Sequence, residues 1–167
     1  MRAWIALALL ATACGYRFAD ERAVFGPQTR HIEIRAFENR SNQPGYEQVL
    51  ADALAEEFTR RGALQPVYEG TPGELVLAGR IDAVSESPRS FSSVALAVEE
   101  TVELRVAVEV RRSGDGGLVW KRDDLRLTEL FISSPDPNVE LSNREQALRR
   151  LSSLLAERIH DELFQVF

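Results

Sequence analysis

Cysteine is nearly missing from this 167-residue sequence: Cys14 is the only one, so no internal disulfide can form. Histidine is scarce as well, with only His31 and His160, and neither lies in a metal-ligand spacing such as HExxH. No Walker loop, G-x-G-x-x-G or G-x-S-x-G is present. The carboxylate pairs Glu99-Glu100 and Asp123-Asp124 point to opposite faces of an extended chain, which disfavours shared acid/base work. These gaps predict a binding or scaffold protein and not an enzyme, with no metal site and no cofactor. Both histidines are expected at the surface, with His160 placed to meet the negative end of a helix dipole. Basic charge is also in deficit, with 20 Lys+Arg against 26 Asp+Glu and a formal net charge of −6. Nucleic acid is therefore excluded as a partner, because binding it needs a basic face that displaces counterions. A local basic patch for an anionic lipid stays open.

The longest apolar run is Ala3 to Ala13 (AWIALALLATA), which follows the positive charge of Arg2. It falls short of the roughly 20 residues that cross a bilayer, but it has the layout of a secretory signal peptide. Ala11, Thr12 and Ala13 are small and precede Cys14, resembling a lipobox with its leucine displaced one place outward to Leu10. Residues 1 to 13 are thus predicted to be a signal peptide, and Cys14 the site of lipidation. A lipid thioether gives the lone cysteine a use that a free exposed thiol lacks. One acyl chain holds a protein only marginally, whereas two or three make the attachment effectively permanent. Gly15, where an inner-membrane protein would have Asp, resembles the proteobacterial signal for release to the outer membrane. Cleavage would remove 13 of the 167 residues, and Arg2 with them, shifting the net charge from −6 to −7. The remaining 154 suit one compact domain.

Residues 14 to 28 read as the lipidated N-terminus and a short tether, and 29 to 167 as a single domain. His31 to Phe37 alternates with period two, placing Ile32, Ile34 and Ala36 on one face of a strand. Glu38 to Gln43 reads as a polar loop, and Pro44 suits the first turn of a helix. Tyr46, Val49, Leu50, Ala53, Leu54 and Phe58 form an apolar helical stripe that Gly62 ends as a left-handed cap. Gln65 to Glu69 is a candidate short strand, followed by a break at Thr71-Pro72-Gly73. Leu75, Leu77, Gly79, Ile81 and Ala83 alternate in the next, with Gly79 a place of close approach by a backbone or ring. Val94, Leu96, Val98, Val102, Leu104, Val106, Val108 and Val110 share one parity, broken only by Glu100, in an unusually long strand. Glu100 is expected at the edge of the core, where that strand overhangs the helices, with a bulge nearby. Ser113 to Gly117 reads as a hairpin turn, and Leu118 to Ile132 as the returning strand. Ser142-Asn-Arg-Glu145 matches a capping box for a final helix whose stripe is Leu148, Leu151, Leu154, Leu155, Ile159 and Leu163. The predicted fold is α+β, in the order β-α-β-β-β-β-α, with two amphipathic helices on one face of a mostly antiparallel mixed sheet.

Four stretches together carry a resemblance. Cys14-Gly15-Tyr16-Arg17-Phe18, Phe37-Glu-Asn39-x-Ser41-x-x-Pro44-Gly45-x-Glu47, Glu57-Phe58-x-x-Arg61-Gly62 and Leu77-Ala-Gly79-x-Ile81 follow in the order and spacing of the lipopolysaccharide-assembly lipoprotein family. The resemblance covers nearly the whole mature chain. It implies a small outer-membrane lipoprotein seated as a plug inside the lipopolysaccharide-export β-barrel, its one protein partner, with lipopolysaccharide as a further ligand. It also implies basic side chains at one end of the sheet that meet lipid A. In this sequence the candidates are Arg89 before the long strand, and Arg111, Arg112, Lys121 and Arg122 around the hairpin. The partner-facing candidates are Phe91, Val94 and Glu100. The run from strand one through Gly62 also resembles the opening βαβ unit of lipoproteins that activate peptidoglycan synthases or form curli-type secretion pores. Those proteins lack the Cys-Gly-Tyr start and carry a long linker after the cysteine.

Overall fold

The computed structural model describes residues 25, 26, 28–91 and 97–165. The signal peptide, Cys14, most of the tether and Val94 lie outside them. Six strands and two helices run in the order β1 (His31–Ile34), β2 (Glu38–Asn39), α1 (Tyr46–Arg61), β3 (Gln65–Tyr68), β4 (Leu75–Phe91), β5 (Ala97–Arg112), β6 (Leu118–Ile132) and α2 (Pro137–Gln165) among the described residues. The sheet order is β3-β1-β4-β5-β6, with the short β2 beside β4. β1 lies parallel to both β3 and β4, and β2 parallel to β4, whereas β4–β5 and β5–β6 are antiparallel. The fold is α+β with a mixed sheet, as the sequence predicts.

The period-two pattern of β5 sends Val102, Leu104, Val106, Val108 and Val110 into the core, where Leu50, Leu54 and Phe58 of α1 and Leu151, Leu155 and Ile159 of α2 meet them. Both helices lie on that one face, α2 across β6 and beside α1. Gly62 ends α1 in the left-handed conformation (φ 72°), donating its N–H to Phe58 O at 3.0 Å. Gly79 is forced by packing: a Cβ there would overlap the Phe37 ring and come 2.8 Å from the Ala107 carbonyl.

Several boundaries differ from the sequence expectations. The first strand ends at Ile34 and not Phe37, so parity breaks: Phe37 is buried and Ala36 exposed. The expected loop at Glu38 contains β2, which pairs with Arg80 and Ile81. Pro44 precedes the first helix because Gly45 is left-handed (φ 83°), and the helix opens at Tyr46. The fourth strand continues past Ala83 to Phe91, and a register shift between Ile81 and Ala83 puts Val84 on the core face instead of Ala83. The last helix starts at Pro137, ahead of the Ser142 capping box; Asp136 caps it by accepting the Asn138 N–H at 2.9 Å.

His160 is the largest departure. It is buried and not at the surface, stacked on Phe164 (centroids 4.5 Å apart) and tilted against Phe58 at 5.3 Å. His31 is the exposed one, its backbone N–H donated to Glu74 Oε2 at 2.6 Å.

Two polar devices hold the helices together. Ser152 donates to the Tyr46 hydroxyl at 2.8 Å, and Tyr46 donates to the Leu148 carbonyl at 3.2 Å. Burial pushes the Tyr46 phenol up to about 12, against the smaller opposing effect of the Ser152 bond. At the other end, Glu57 is buried and accepts from Arg60 Nε at 3.1 Å and Arg61 Nε at 2.8 Å. The same arginines reach Glu157 at 3.2 Å and Asp161 at 3.1 Å on α2.

Candidate functional site

Among the described residues the sheet face away from the helices is covered by no other element, and many of its charges are paired along the strands. Glu33–Arg35 (3.1 Å), Arg80–Asp82 (2.5 Å), Glu109–Arg111 (2.8 Å), Lys121–Asp123 (2.7 Å) and Asp124–Arg126 (2.8 Å) are all i,i+2 pairs. Period two explains the spacing, because residues two apart stand on the same face of a strand.

The four cations expected around the hairpin do not form one patch. Arg111 is held by Glu109 and donates to the Gly116 carbonyl at 3.1 Å. Its hydrogen bond, outweighing partial burial, keeps the Glu109 carboxyl below its ordinary value. Lys121 lies opposite Glu109 on the open face. Arg122 turns to the helix face, paired with Glu162 of α2 at 2.7 Å and 5.8 Å over the Trp120 ring. Arg112 is exposed and, among the described residues, has no acidic partner. Arg89, also exposed, sits far along β4 from Leu75, the residue paired with Arg112. At about 3.3 Å per residue that separation is roughly 45 Å, so Arg89 belongs to a different site.

The overhanging end of β4–β6 has another character. Glu100 is half-buried, opposite Pro88 on one side and Phe131 on the other, next to register shifts between Pro88 and Phe91. The backbone of Phe91 closes β4 against Ala97. Leu130 and Ile132, opposite Thr101 and Glu99, are exposed there on the open face, Ile132 most of all at 69%, and Val98 is exposed on the other face of the sheet. The Ser133 N–H bonds the Val98 carbonyl at 3.2 Å, and Asn143 of α2 donates to the Ile132 carbonyl at 2.8 Å. That contact brings the exposed Val139 and Leu141 of the first turns of α2 to the same end. The sequence reading missed Leu130, Ile132, Val139 and Leu141. Their signal was present: apolar residues continue along β6 and α2 beyond the stripes that the core uses.

Among the described residues, no three His, Cys, Asp or Glu side chains are placed to hold a metal ion. No helix among them is long and apolar enough to cross a membrane.

Residues 29–163 match the profile of the LptE, lipopolysaccharide-assembly, family. The chain belongs to this family. It is thereby placed with lipopolysaccharide-assembly lipoproteins and not with a family of enzymes. No curated protein sequence matches it significantly. Solved structures share the fold. A lipoprotein from Caulobacter crescentus aligns with TM-score 0.56 at 13% identity, covering 78% of this chain and 88% of that one. A minor lipoprotein from Acinetobacter baumannii gives TM-score 0.53 at 15% identity, with coverage of 82% and 93%. The rare lipoprotein B from Shewanella oneidensis gives 0.51 at 12% identity, with 80% and 95%. The resemblance drawn from the Cys-Gly-Tyr and Phe-Glu-Asn stretches therefore names the right family. Asn39 has a local reason for its place in that pattern: it donates to the Gln43 carbonyl at 2.7 Å and to Glu47 at 2.6 Å, and accepts from the Ser41 N–H at 2.9 Å. It shapes the loop that leads into α1.

Proposed function

We propose that the protein is a lipoprotein anchored to the outer membrane through Cys14, whose domain from residue 29 onward seats inside the lipopolysaccharide-export β-barrel and assists assembly at the cell surface. The observation that carries the reading is the overhanging end of the sheet, where Leu130 and Ile132 are exposed on the open face and Val98, with Val139 and Leu141 of α2, is exposed away from it. Exposed aliphatic side chains of this kind, gathered at one end of a sheet, mark an interaction surface. Phe91 ends β4 there, Val94 follows it in the sequence, and Glu100 at the margin is the polar partner-facing candidate. The open face, with many of its charges already paired in-strand, suits a wet barrel lumen, where a strongly signed surface would be self-repelling. Direct contact with lipid A falls to Arg89 and Arg112, candidates that have no carboxylate partner among the described residues, in preference to Arg111, Lys121 and Arg122. Photoreactive residues at Phe91, Val94 and Ile132 test the reading in living cells. Adducts with the export barrel are expected; adducts only with a peptidoglycan synthase, or only with copies of this chain, would overturn it.

A further inference from the structure

α1 has a second face at the margin of the core, where the half-buried Ala51 and Ala55 adjoin it. Gln48, Ala51, Asp52, Ala55, Glu56 and Thr59 recur at helical spacing and form one wall of a groove of about 840 Å³, with Ile34, Pro66 and Tyr68 along its floor. The alanines leave the groove open where larger side chains would fill it. Tyr68 is 82% exposed there, on the edge strand β3. Exposed tyrosines in such settings anchor partners, because the ring offers a large apolar surface with a polar tip.

The rim is acidic. Asp52, Glu56 and Glu69 line it, and none has a cationic partner among the described residues. Arg60 also lines the groove, but its guanidinium is committed to Glu57 and Glu157. An anionic lipid or phosphate would be repelled by this rim, and a cationic partner favoured.

The edge of β3 is poorly equipped for strand addition. The Gln65 N–H bonds the Arg30 carbonyl on the β1 side, so alternation turns the backbone groups of Pro66 and Tyr68 outward. Pro66 has no N–H, and the Tyr68 carbonyl already accepts from Thr71 at 3.0 Å. An extended peptide would leave its own backbone unpaired, whereas a helix satisfies its own. From Gln48 to Thr59 the wall runs roughly 17 Å at 1.5 Å per residue, about three helical turns.

We propose that this groove docks a basic amphipathic helix of a partner protein, its apolar side chains on Tyr68 and the alanine wall and its Lys or Arg residues on Asp52, Glu56 and Glu69. The groove lies at the β3 edge of the sheet and the exposed Leu130 and Ile132 at the β6 edge, so the proposal stands apart from the barrel reading.

The test uses the detergent-solubilised full chain and a fluorescent, stapled three-turn peptide with a leucine stripe flanked by lysines. Anisotropy should show saturable binding that weakens as salt rises, and binding at least about tenfold weaker when glutamates replace the lysines. Tyr68→Ser and the double variant Asp52→Lys/Glu56→Lys should each cut affinity about tenfold, because these side chains are exposed and their loss leaves the core intact. The control Glu103→Lys, on the open face, should change little. Equal affinity for the glutamate peptide, equal loss with Glu103→Lys, tighter binding of an alternating Val/Lys extended peptide, or binding of anionic vesicles that Tyr68→Ser weakens would each overturn the proposal. So would concentration-dependent self-association abolished by Tyr68→Ser, which would assign the groove to a second copy.

Discussion

The two faces of the sheet are built by different physics from the same strands. On the helix side Val102, Leu104, Val106, Val108 and Val110 are sealed beneath α1 and α2, and removal of apolar area from water holds them there. On the open side Glu109, Arg111, Lys121, Asp123, Asp124 and Arg126 stand in solvent, each beside an opposite charge two residues away. Exposed pairs of this kind contribute little to folding. Stability therefore resides almost wholly on one side, and the other is free to serve recognition.

The strongest way to break this contrast is to remove a large side chain from the sealed side. Phe58 is fully buried, in contact with the core and with the His160 ring. Phe58→Ala should cost about 3–5 kcal/mol in chemical denaturation, the transfer and cavity terms adding. A loss below about 1 kcal/mol would mean that the helices contribute far less than their burial implies.

Next comes Glu57, a buried carboxylate in an otherwise apolar layer. Burial pushes it up, but the hydrogen bonds and charges of Arg60 and Arg61 outweigh burial and hold it below its ordinary value of 4.5. A carboxyl depressed in the folded state stabilises the fold above its unfolded pKa, and that stability is lost as pH falls through the folded value. Glu57→Gln should therefore cost about 1–3 kcal/mol at neutral pH and flatten the loss of stability below about pH 4.5. An unchanged acid limb would assign acid sensitivity to other carboxyls.

Tyr46 gives a smaller effect with the opposite pH sense. Its phenol stays neutral in the folded protein up to about 12, against an ordinary value of 10.0. The unfolded chain ionises first, so the stability this group contributes is lost as pH rises across that window. Tyr46→Phe should cost about 1 kcal/mol near neutrality, for the lost hydrogen bonds to Leu148 and Ser152. Its stability should then fall less between pH 10 and 12 than that of the parent. If the two proteins lose stability in parallel there, the alkaline limb belongs to another group.

What the sequence made legible follows the same division. Parity was readable wherever one face is sealed: the valines of β5 from Val102 to Val110, the close approach at Gly79 and most of both helix stripes were placed correctly, whereas Val49 and Leu154, at the margins of those stripes, are exposed. It failed where a single residue changes register. After Ile34 the chain leaves the strand, so Phe37 and not Ala36 turns inward, and the shift at Asp82 exchanges Ala83 for Val84. Neither has a local signature, because the tertiary fit of one ring or one extra residue decides it. His160 was misplaced for a related reason: its helical position lies one place from Ile159, and only the presence of Phe58 and Phe164 makes that position interior. For the basic residues the lesson is finer. The pairing of Arg111 with Glu109 was legible in principle, two residues apart on one strand. That of Arg122 with Glu162, 40 residues away, required the fold.

The smallest effect tests the open face itself. Asp124 accepts from Arg126 at 2.8 Å, and that hydrogen bond is the first cause of its lowered pKa, yet both groups stand in water. Freezing two long side chains in one geometry offsets most of the attraction, and salt screens the remainder. Asp124→Asn should leave the denaturation midpoint unchanged within measurement error, at low and at high salt. A clear, salt-sensitive loss would show that the charge ladder supports the fold after all. If the midpoint holds, the substitution becomes a clean probe of recognition: it leaves Arg126 unpaired on the open face without disturbing the core. Any change in the proposed barrel association that follows can then be assigned to that face, and not to a weakened domain.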